Sequence, residues 1–389
     1  MRTVRKLPRR PEQHVPVPPS LKLSQIFRAR CPSAEHPRAE EDRMTTTVLG
    51  GGYAGVMAAN RLAGRGEEVV LVTPNAWFVE RIRLHRVATG LRENARLDLE
   101  TVLNPAVEVV RDTATKIGDG KVQLASGENL PYDTLVYAVG SGASDHNGAY
   151  RIVSEEESGR FRAALAEAPD APVTVVGAGL TGVELAGALR EAGRAVKLVS
   201  TAPERRAIQA HLRFLAKQGV EIELGRRVDP AALDGLVVDT TGFTVPSLAA
   251  DSGLPVDGFG RLLVDEQLTV PGHPNVLGAG DAVHLASPSY LRAACATALP
   301  MGAHAADVLT ARREGRAGEA FRMGYVLQCT DLGSGRGRVQ FLHPDDTERA
   351  LAIDGRAGGL VKETICRMTV RWLTQERDRA GRYSWPAGA

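Results

Sequence analysis

Val48-Leu49-Gly50-Gly51-Gly52-Tyr53-Ala54-Gly55 is the stretch from which the rest of the chain can be read. Its apolar pair continues a β-rich run from Thr45; a helix-forming stretch, Val56 to Arg65, follows, and then a second apolar run, Val69-Val70-Leu71-Val72. Strand, G-x-G-x-x-G, helix, strand is the order of a unit that cradles a dinucleotide. Gly50 permits the tight turn, Gly52 lets backbone N–H groups approach a pyrophosphate, and Gly55 lets the helix pack closely on the strand. The anion then faces the positive end of a helix whose first turn holds Tyr53 and Ala54.

The unit recurs. Val173-Thr174-Val175-Val176 leads into Gly177-Ala178-Gly179-Leu180-Thr181-Gly182, then a helix from Val183 to Glu191 and a strand from Ala195 to Ser200. One G-x-G-x-x-G is weak evidence; the same flanking pattern met twice is strong, and it predicts two dinucleotide sites. Each unit also has a later strand ending in a small-residue turn. In the first it is Tyr132 to Ser141, with Ala138 and Gly140; in the second it is Leu236 to Gly242, with Thr241 and Gly242. Such turns let backbone pass beside a bound molecule, and the halves read as repeats of one design.

Both units depart from the usual pattern about 20 residues beyond the turn, where a carboxylate ordinarily receives the ribose hydroxyls. Thr73 stands there in the first unit, and Ser200 and Thr201 in the second. A threonine hydroxyl can still meet a ribose. In the second unit, loss of the carboxylate with Arg205 and Arg206 close behind leans mildly toward a 2′-phosphate, hence NADPH over NADH; surface arginines opening a helix are the competing reading.

Further on, Asn275-Val276-Leu277-Gly278-Ala279-Gly280-Asp281-Ala282 puts glycines and a carboxylate at a strand end. Pro300-Met301-Gly302-Ala303-His304 predicts a helix opening at Pro300 and running to about Ala311, with its free N–H groups at that start.

Composition narrows the class. With 43% hydrophobic and 24% charged residues in 389, the chain can bury a real core. Its net charge of +2 comes from the first 43 residues; without them it is slightly acidic, so nucleic acid is not an expected partner. Cys31, Cys295, Cys329 and Cys366 lie far apart, with no C-x-x-C pair and no zinc spacing, so no metal site is expected. A reducing, cytoplasmic setting fits, with peripheral attachment at the inner face of a membrane left open. Residues 1–43, rich in proline and arginine, read as a disordered tail; Met44, just before the first strand, is a candidate translation start.

The motifs Val48 to Gly55, Val175 to Glu184 and Gly278 to Asp281, in that order, resemble the FAD-dependent pyridine nucleotide-disulfide oxidoreductase superfamily over roughly residues 45–315. The resemblance implies FAD on the first turn, NADH or NADPH on the second, Asp281 on the flavin's ribityl chain and Glu184 near the nicotinamide; the positive helix start expected at Pro300-Met301, aimed at the flavin's pyrimidine edge, would stabilise the reduced ring. Residues 44–294 contain no cysteine, which excludes the dithiol relay of the disulfide reductases. What remains is similar to the type II NADH dehydrogenases and the apoptosis-inducing-factor-like quinone reductases. The implied activity is hydride transfer from NAD(P)H to FAD and electron transfer on to a quinone. An iron–sulfur protein or a biosynthetic substrate is the alternative acceptor, and a nucleotide-binding redox sensor or scaffold the alternative class. Phe78 to His85 falls in the segment that approaches the flavin in those proteins, although its arginines and His85 read more simply as a solvated helix face.

The expected fold is α/β, with two Rossmann-like domains. A discontinuous FAD domain (44–148 and 260–317) surrounds an inserted NAD(P) domain (149–259), and a small α+β domain (318–389) follows. In the last, apolar runs flanking Leu332-Gly333-Ser334-Gly335-Arg336-Gly337 predict a β-hairpin. Val361, Ile365, Met368 and Trp372, with Lys362, Arg367 and Arg371 beside them, predict an amphipathic basic helix. That helix is expected to pack on the flavin domain, with a homodimer contact, a membrane surface or a protein electron acceptor as its other uses.

Overall fold

The computed structural model describes residues 44–142, 148–201 and 205–388. The proposed tail and translation start lie outside them, Met44 apart.

Two parallel sheets carry the two glycine turns. The first has six strands in the order Thr269–Val270, His273–Gly278, Thr134–Tyr137, Thr45–Leu49, Glu68–Val72, Glu108–Val110, all parallel but the first pair. The second has four parallel strands in the order Glu221–Leu224, Val196–Ser200, Val173–Val176, Leu236–Asp239. In each, the strand that leads into the turn lies between the next strand in the chain and a later one. Leu49 pairs with Val72 and Tyr137; Val176 pairs with Val199 and Asp239. The connections leave those central strands on opposite sides, which opens a crevice at their carboxyl ends.

The β-branched runs make these strands because they are buried on both faces: Val173, Val175, Leu135 and Val136 are inaccessible to solvent. Two apolar cores follow, one under each sheet. The first core also takes in the helix Cys295–Arg313 and, from the C-terminal region, Leu342, Leu373 and Tyr383; the second takes in Leu332.

The predicted hairpin forms, Leu327–Asp331 against Gly337–Leu342, and a third strand unforeseen in the sequence, Glu348–Asp354, joins it. The helix Gly355–Asp378 then crosses back to the first domain. It does so through a buried ion pair: Arg61, on the helix Tyr53–Ala63, holds Glu376 at 2.6 Å and also donates to the Tyr383 carbonyl at 2.5 Å. The hairpin turn instead meets the second domain. A Cβ on Gly187 would lie 2.7 Å from the Leu332 carbonyl carbon, so only glycine lets the helix Leu180–Glu191 approach this closely.

The apolar stripe expected to face the core is displaced. The buried line of the last helix is Gly358, Cys366, Thr369, Leu373 and Glu376, while Val361, Ile365, Met368 and Trp372 are only half-buried beside it. Two ion pairs reach inward from or onto that buried side, so hydrophobicity alone misjudges the face. The outward line is Arg356, Leu360, Thr364, Arg367 and Arg371. Among the described residues no helix is long and apolar enough to cross a membrane.

Candidate active site

The two turns are built alike in backbone conformation. Gly50 has φ +111°, and a Cβ there would lie 2.2 Å from the Ala138 carbonyl oxygen; Gly177 has φ +103°, and a Cβ there would lie 2.9 Å from Thr240 Oγ1. The third glycines are packed against the first: Cβ atoms on Gly55 and Gly182 would fall 1.9 and 2.0 Å from the carbonyl oxygens of Gly50 and Gly177. The second glycines are different. Around Gly52 and Gly179 a Cβ would meet nothing within 4 Å, and both residues are exposed. Each is the N-cap of its helix, with no side-chain cap and no acidic residue in the first turn. Two positive helix poles thus open onto free space at the crevices, the arrangement that binds a pyrophosphate.

Around the first turn, Tyr53 is buried edge-on against Phe78 at 5.0 Å between centroids, its hydroxyl without a partner. Gly280 (φ +88°) approaches the Ala54 side chain, and Gly302 is in backbone contact with Ala54, so Pro300 and Met301 are brought alongside the turn. Asp281 accepts from Ser141 Oγ at 3.0 Å, and Arg81 donates to the Ser141 carbonyl at 2.8 Å, which fixes the Gly140 bend (φ +70°) beside the carboxylate. A cavity of about 180 Å³ adjoins these residues, lined by Gly280, Asp281, Thr297, Met301 and the arginines 261 and 292. Thr73 is buried against Gly51, its hydroxyl accepting from the Asn75 N–H at 3.3 Å.

The expected helix start is corrected. The helix begins at Cys295, and Pro300 lies inside it. Ala296, Thr297, Ala298 and Leu299 can all take helical geometry, so the helix nucleates before the proline, which removes one internal hydrogen bond without ending it. The free N–H groups lie at Cys295 and Ala296, not at Pro300 and Met301.

At the second turn, Ser200 Oγ accepts from the Ala178 N–H at 3.1 Å, tying the strand end to the turn, and Thr201 is exposed. Leu180 is half-buried and Thr181 exposed. Thr241 donates from both backbone and hydroxyl to Asp239, at 2.8 and 2.6 Å, and Arg151 clamps Asp239 and the Gly242 carbonyl, each at 2.9 Å. Arg205 does not point to this turn as a lone cation: it is paired with Asp346 at 2.9 Å and Glu348 at 3.2 Å.

Glu184 joins all three regions. Its Oε1 accepts from Lys362 Nζ at 2.9 Å and from the Asp331 N–H at 2.9 Å. Burial works against the charge on Lys362, but Glu184, with Cys329 and Cys366 nearby, holds its pKa well above the usual lysine value. His85 stands between Asp331 (3.2 Å) and Glu184 (3.8 Å), and Arg86 pairs with Asp331 and Glu191. The solvated-face reading of the arginines and His85 in the Phe78–His85 segment is therefore corrected: His85 and Arg83 are buried, His85 against Asp331 and Glu184 and Arg83 against Glu80 and Glu363, while Arg81 is half-buried. Burial pushes the Cys295 thiol up to about 12 and the Cys366 thiol up to about 11, so neither is a thiolate at neutral pH.

Sequence reading missed Arg151, Asp331 and Lys362 as members of this site. Their partners come from other elements, and no local motif marks them.

Residues 44–307 match the pyridine nucleotide-disulphide oxidoreductase family. The type II NADH:quinone oxidoreductase Ndh of Mycobacterium tuberculosis is 28% identical over 320 residues, covering 64% of this chain and 68% of that one. NDH2 from Plasmodium falciparum, solved in complex with NADH, superposes with a TM-score of 0.72 at 13% identity, over 88% of this chain and 99% of that one. The sulfide:quinone oxidoreductase of Aquifex aeolicus superposes with a TM-score of 0.71 at 16% identity, over 86% and 92%. The paired turns, the sheets that carry them and this match agree: the chain belongs to the pyridine nucleotide-disulphide oxidoreductase family.

Proposed function

We propose that the protein is an FAD-dependent NAD(P)H dehydrogenase that passes electrons to a quinone without a redox-active disulfide. The observation that carries this reading is the pair of matching glycine turns, each open only at its second glycine, with no cysteine in residues 44–294, which hold both turns. The relatives named as quinone oxidoreductases support the choice of acceptor.

On this reading Gly50, Gly52, Tyr53, Ala54 and Gly55 hold the FAD pyrophosphate, and Ala138, Gly140, Gly280, Asp281, Pro300 and Met301 its ribityl and ring; Thr73, expected to meet the ribose, is instead buried against Gly51 and supports the turn. Bound FAD supplies a two-electron carrier that takes hydride from the nicotinamide and hands electrons on. Gly177, Gly179, Leu180, Thr181 and Gly182 hold the nucleotide pyrophosphate, Ser200 and Thr201 its ribose, and Thr241 and Gly242 the chain toward the nicotinamide. Arg151, through Asp239, keeps that last turn in shape. Glu184, fixed by Lys362 and the Asp331 N–H, presents a rigid carboxylate where the family places the nicotinamide. The protein supplies position and field rather than a nucleophile.

The outward arginines 356 and 371, beside Arg367 paired with Glu363, give the last helix a basic face suited to peripheral contact with anionic lipid, an unpaired arginine being worth about 1 kcal/mol near such a surface. Recovery of the protein in the supernatant of anionic vesicles at low salt would remove that part of the reading.

Two-stage stopped-flow tests the whole: NADH or NADPH should bleach the flavin, and ubiquinone or menaquinone should restore it. A purified protein that is colourless and stays so with added FAD overturns the reading.

A further inference from the structure

We infer that the cavity beside Asp281 takes the headgroup of the quinone, held by a hydrogen bond from His284 Nε2, with Phe259 meeting its tail outside. The inference rests on reading the first turn as the FAD site and a quinone as the acceptor. The cavity, about 180 Å³, lies wholly among residues 261–301, and no residue of the second turn's unit lines it. It borders Gly280, Asp281 and Met301, which that reading gives to the flavin. A molecule in it lies next to the flavin without competing with the nicotinamide.

The chemistry of the cavity suits a neutral ring that accepts hydrogen bonds. Val283, Leu285, Leu291 and Met301 give it apolar walls. Its two arginines are already matched, Arg261 by Asp257 at 2.7 Å and Arg292 by Asp346 at 2.8 Å, so the charge left over is the Asp281 carboxylate, and an anion is disfavoured. What the cavity offers is donors. His284, on the strand Val283–Leu285, has Nδ1 3.0 Å from Arg261 Nη2. A guanidinium donates and cannot accept, so Nδ1 takes that hydrogen bond and the imidazole proton is on Nε2. Asp257 Oδ2, 3.8 Å from Nδ1, is beyond hydrogen-bond reach and is itself held by Arg261 Nε at 2.8 Å. His284 is thus fixed as a donor through Nε2, and Arg292 Nε is a second donor, buried and without a partner. A quinone brings two carbonyl acceptors and no donor.

Size decides how much of the molecule enters. About 180 Å³ is less than the roughly 300–1,000 Å³ that encloses a whole drug-sized ligand, so the headgroup fits and an isoprenoid tail stays outside. Phe259 is 83% exposed at the tip of the turn 257–261, where Asp257 accepts from the Phe259 and Arg261 N–H groups, both at 2.9 Å. Its ring lies 5.7 Å from the guanidinium of Arg261, which lines the cavity. A large apolar side chain left in water at that place gives a tail a surface to cover.

Calorimetric binding of decylubiquinone and of tail-less duroquinone to the oxidised, FAD-loaded protein, with stopped-flow of both half-reactions, tests this. His284→Phe should weaken both quinones by about tenfold or more and raise their KM, while NADH bleaches the flavin at a rate unchanged within about twofold. His284→Gln, which keeps an N–H donor, should recover part of the affinity. Phe259→Ser, at an exposed position and independent of whether the histidine variant folds, should weaken decylubiquinone by about threefold or more and duroquinone by less. Unchanged quinone affinity in His284→Phe, equal losses for the two quinones in Phe259→Ser, or flavin atoms filling the cavity in a crystal of the FAD-loaded protein overturns the inference and leaves the dehydrogenase reading intact. A flavin that NADH bleaches and no quinone restores overturns both the inference and the choice of acceptor.

Discussion

Glu184 and Lys362 lie 2.9 Å apart, although one is on the helix after the second glycine turn and the other on the last helix of the chain. Both are largely buried, so each is the other's counter-charge. Removing one should leave the other stranded: Lys362→Met and Glu184→Gln are each expected to lose about 3 kcal/mol of stability. The double variant should recover part of that, with a coupling of about 1–3 kcal/mol in a urea-denaturation cycle. Additive losses would show that the pair is not coupled.

The second glycines should separate the two nucleotides. Gly52 and Gly179 have room for a side chain in the protein itself, so valine there should fold normally and obstruct only the ligand. Gly52→Val should purify without flavin. Gly179→Val should be yellow, with an ordinary flavin spectrum that NADH and NADPH no longer bleach. The opposite pattern would mean that the two sites are exchanged.

His211 should give the protein an acid-sensitive limb. Burial, and then Arg338, lower its pKa to about 4, and neither ring nitrogen has a hydrogen-bond partner. The unfolded chain takes up its proton near the ordinary value of about 6.5. Between these two values the unfolded state binds more protons, so stability falls as pH drops through that window, by about 3 kcal/mol in all. His211→Leu should flatten the pH dependence of the denaturation midpoint between about pH 6.5 and 4; an unchanged slope there would show that another group is responsible.

Gly187 should tolerate no side chain, because its missing Cβ is the contact with the Leu332–Gly333 backbone. Gly187→Val is expected to lose about 2 kcal/mol or more and to lower the thermal midpoint. Gly159→Ala is the control: that glycine lies in the helix Glu155–Glu167 with nothing near its Cβ position, and alanine there should stabilise by about 0.5–1 kcal/mol. Equal behaviour of the two variants would deny the close packing.

The turns themselves were legible because their logic is local. A positive φ at Gly50 and Gly177, the contact of the third glycine with the first carbonyl, and the uncapped helix behind each depend on residues within a few positions of one another. Alternating runs of β-branched residues and helix formers likewise settled the α/β class. Besides the helix start at Pro300 and the face of the last helix, the assignments that changed concern charge. Arg205 looked available for a phosphate, the arginines and His85 of Phe78–His85 looked solvated, and Lys362 looked like one more surface cation of a basic helix. Each instead meets a carboxylate far away in the chain: Arg205 meets Asp346 and Glu348, Arg83 meets Glu363 as well as the nearby Glu80, His85 meets Asp331, and Lys362 meets Glu184.

Amino-acid order by itself therefore determined where two dinucleotides can be cradled, since backbone conformation is set by near neighbours. Only the tertiary structure decided which charges face those cradles. A side chain's electrostatic role depends on what is folded against it, and Coulomb attraction between buried groups takes no account of sequence separation.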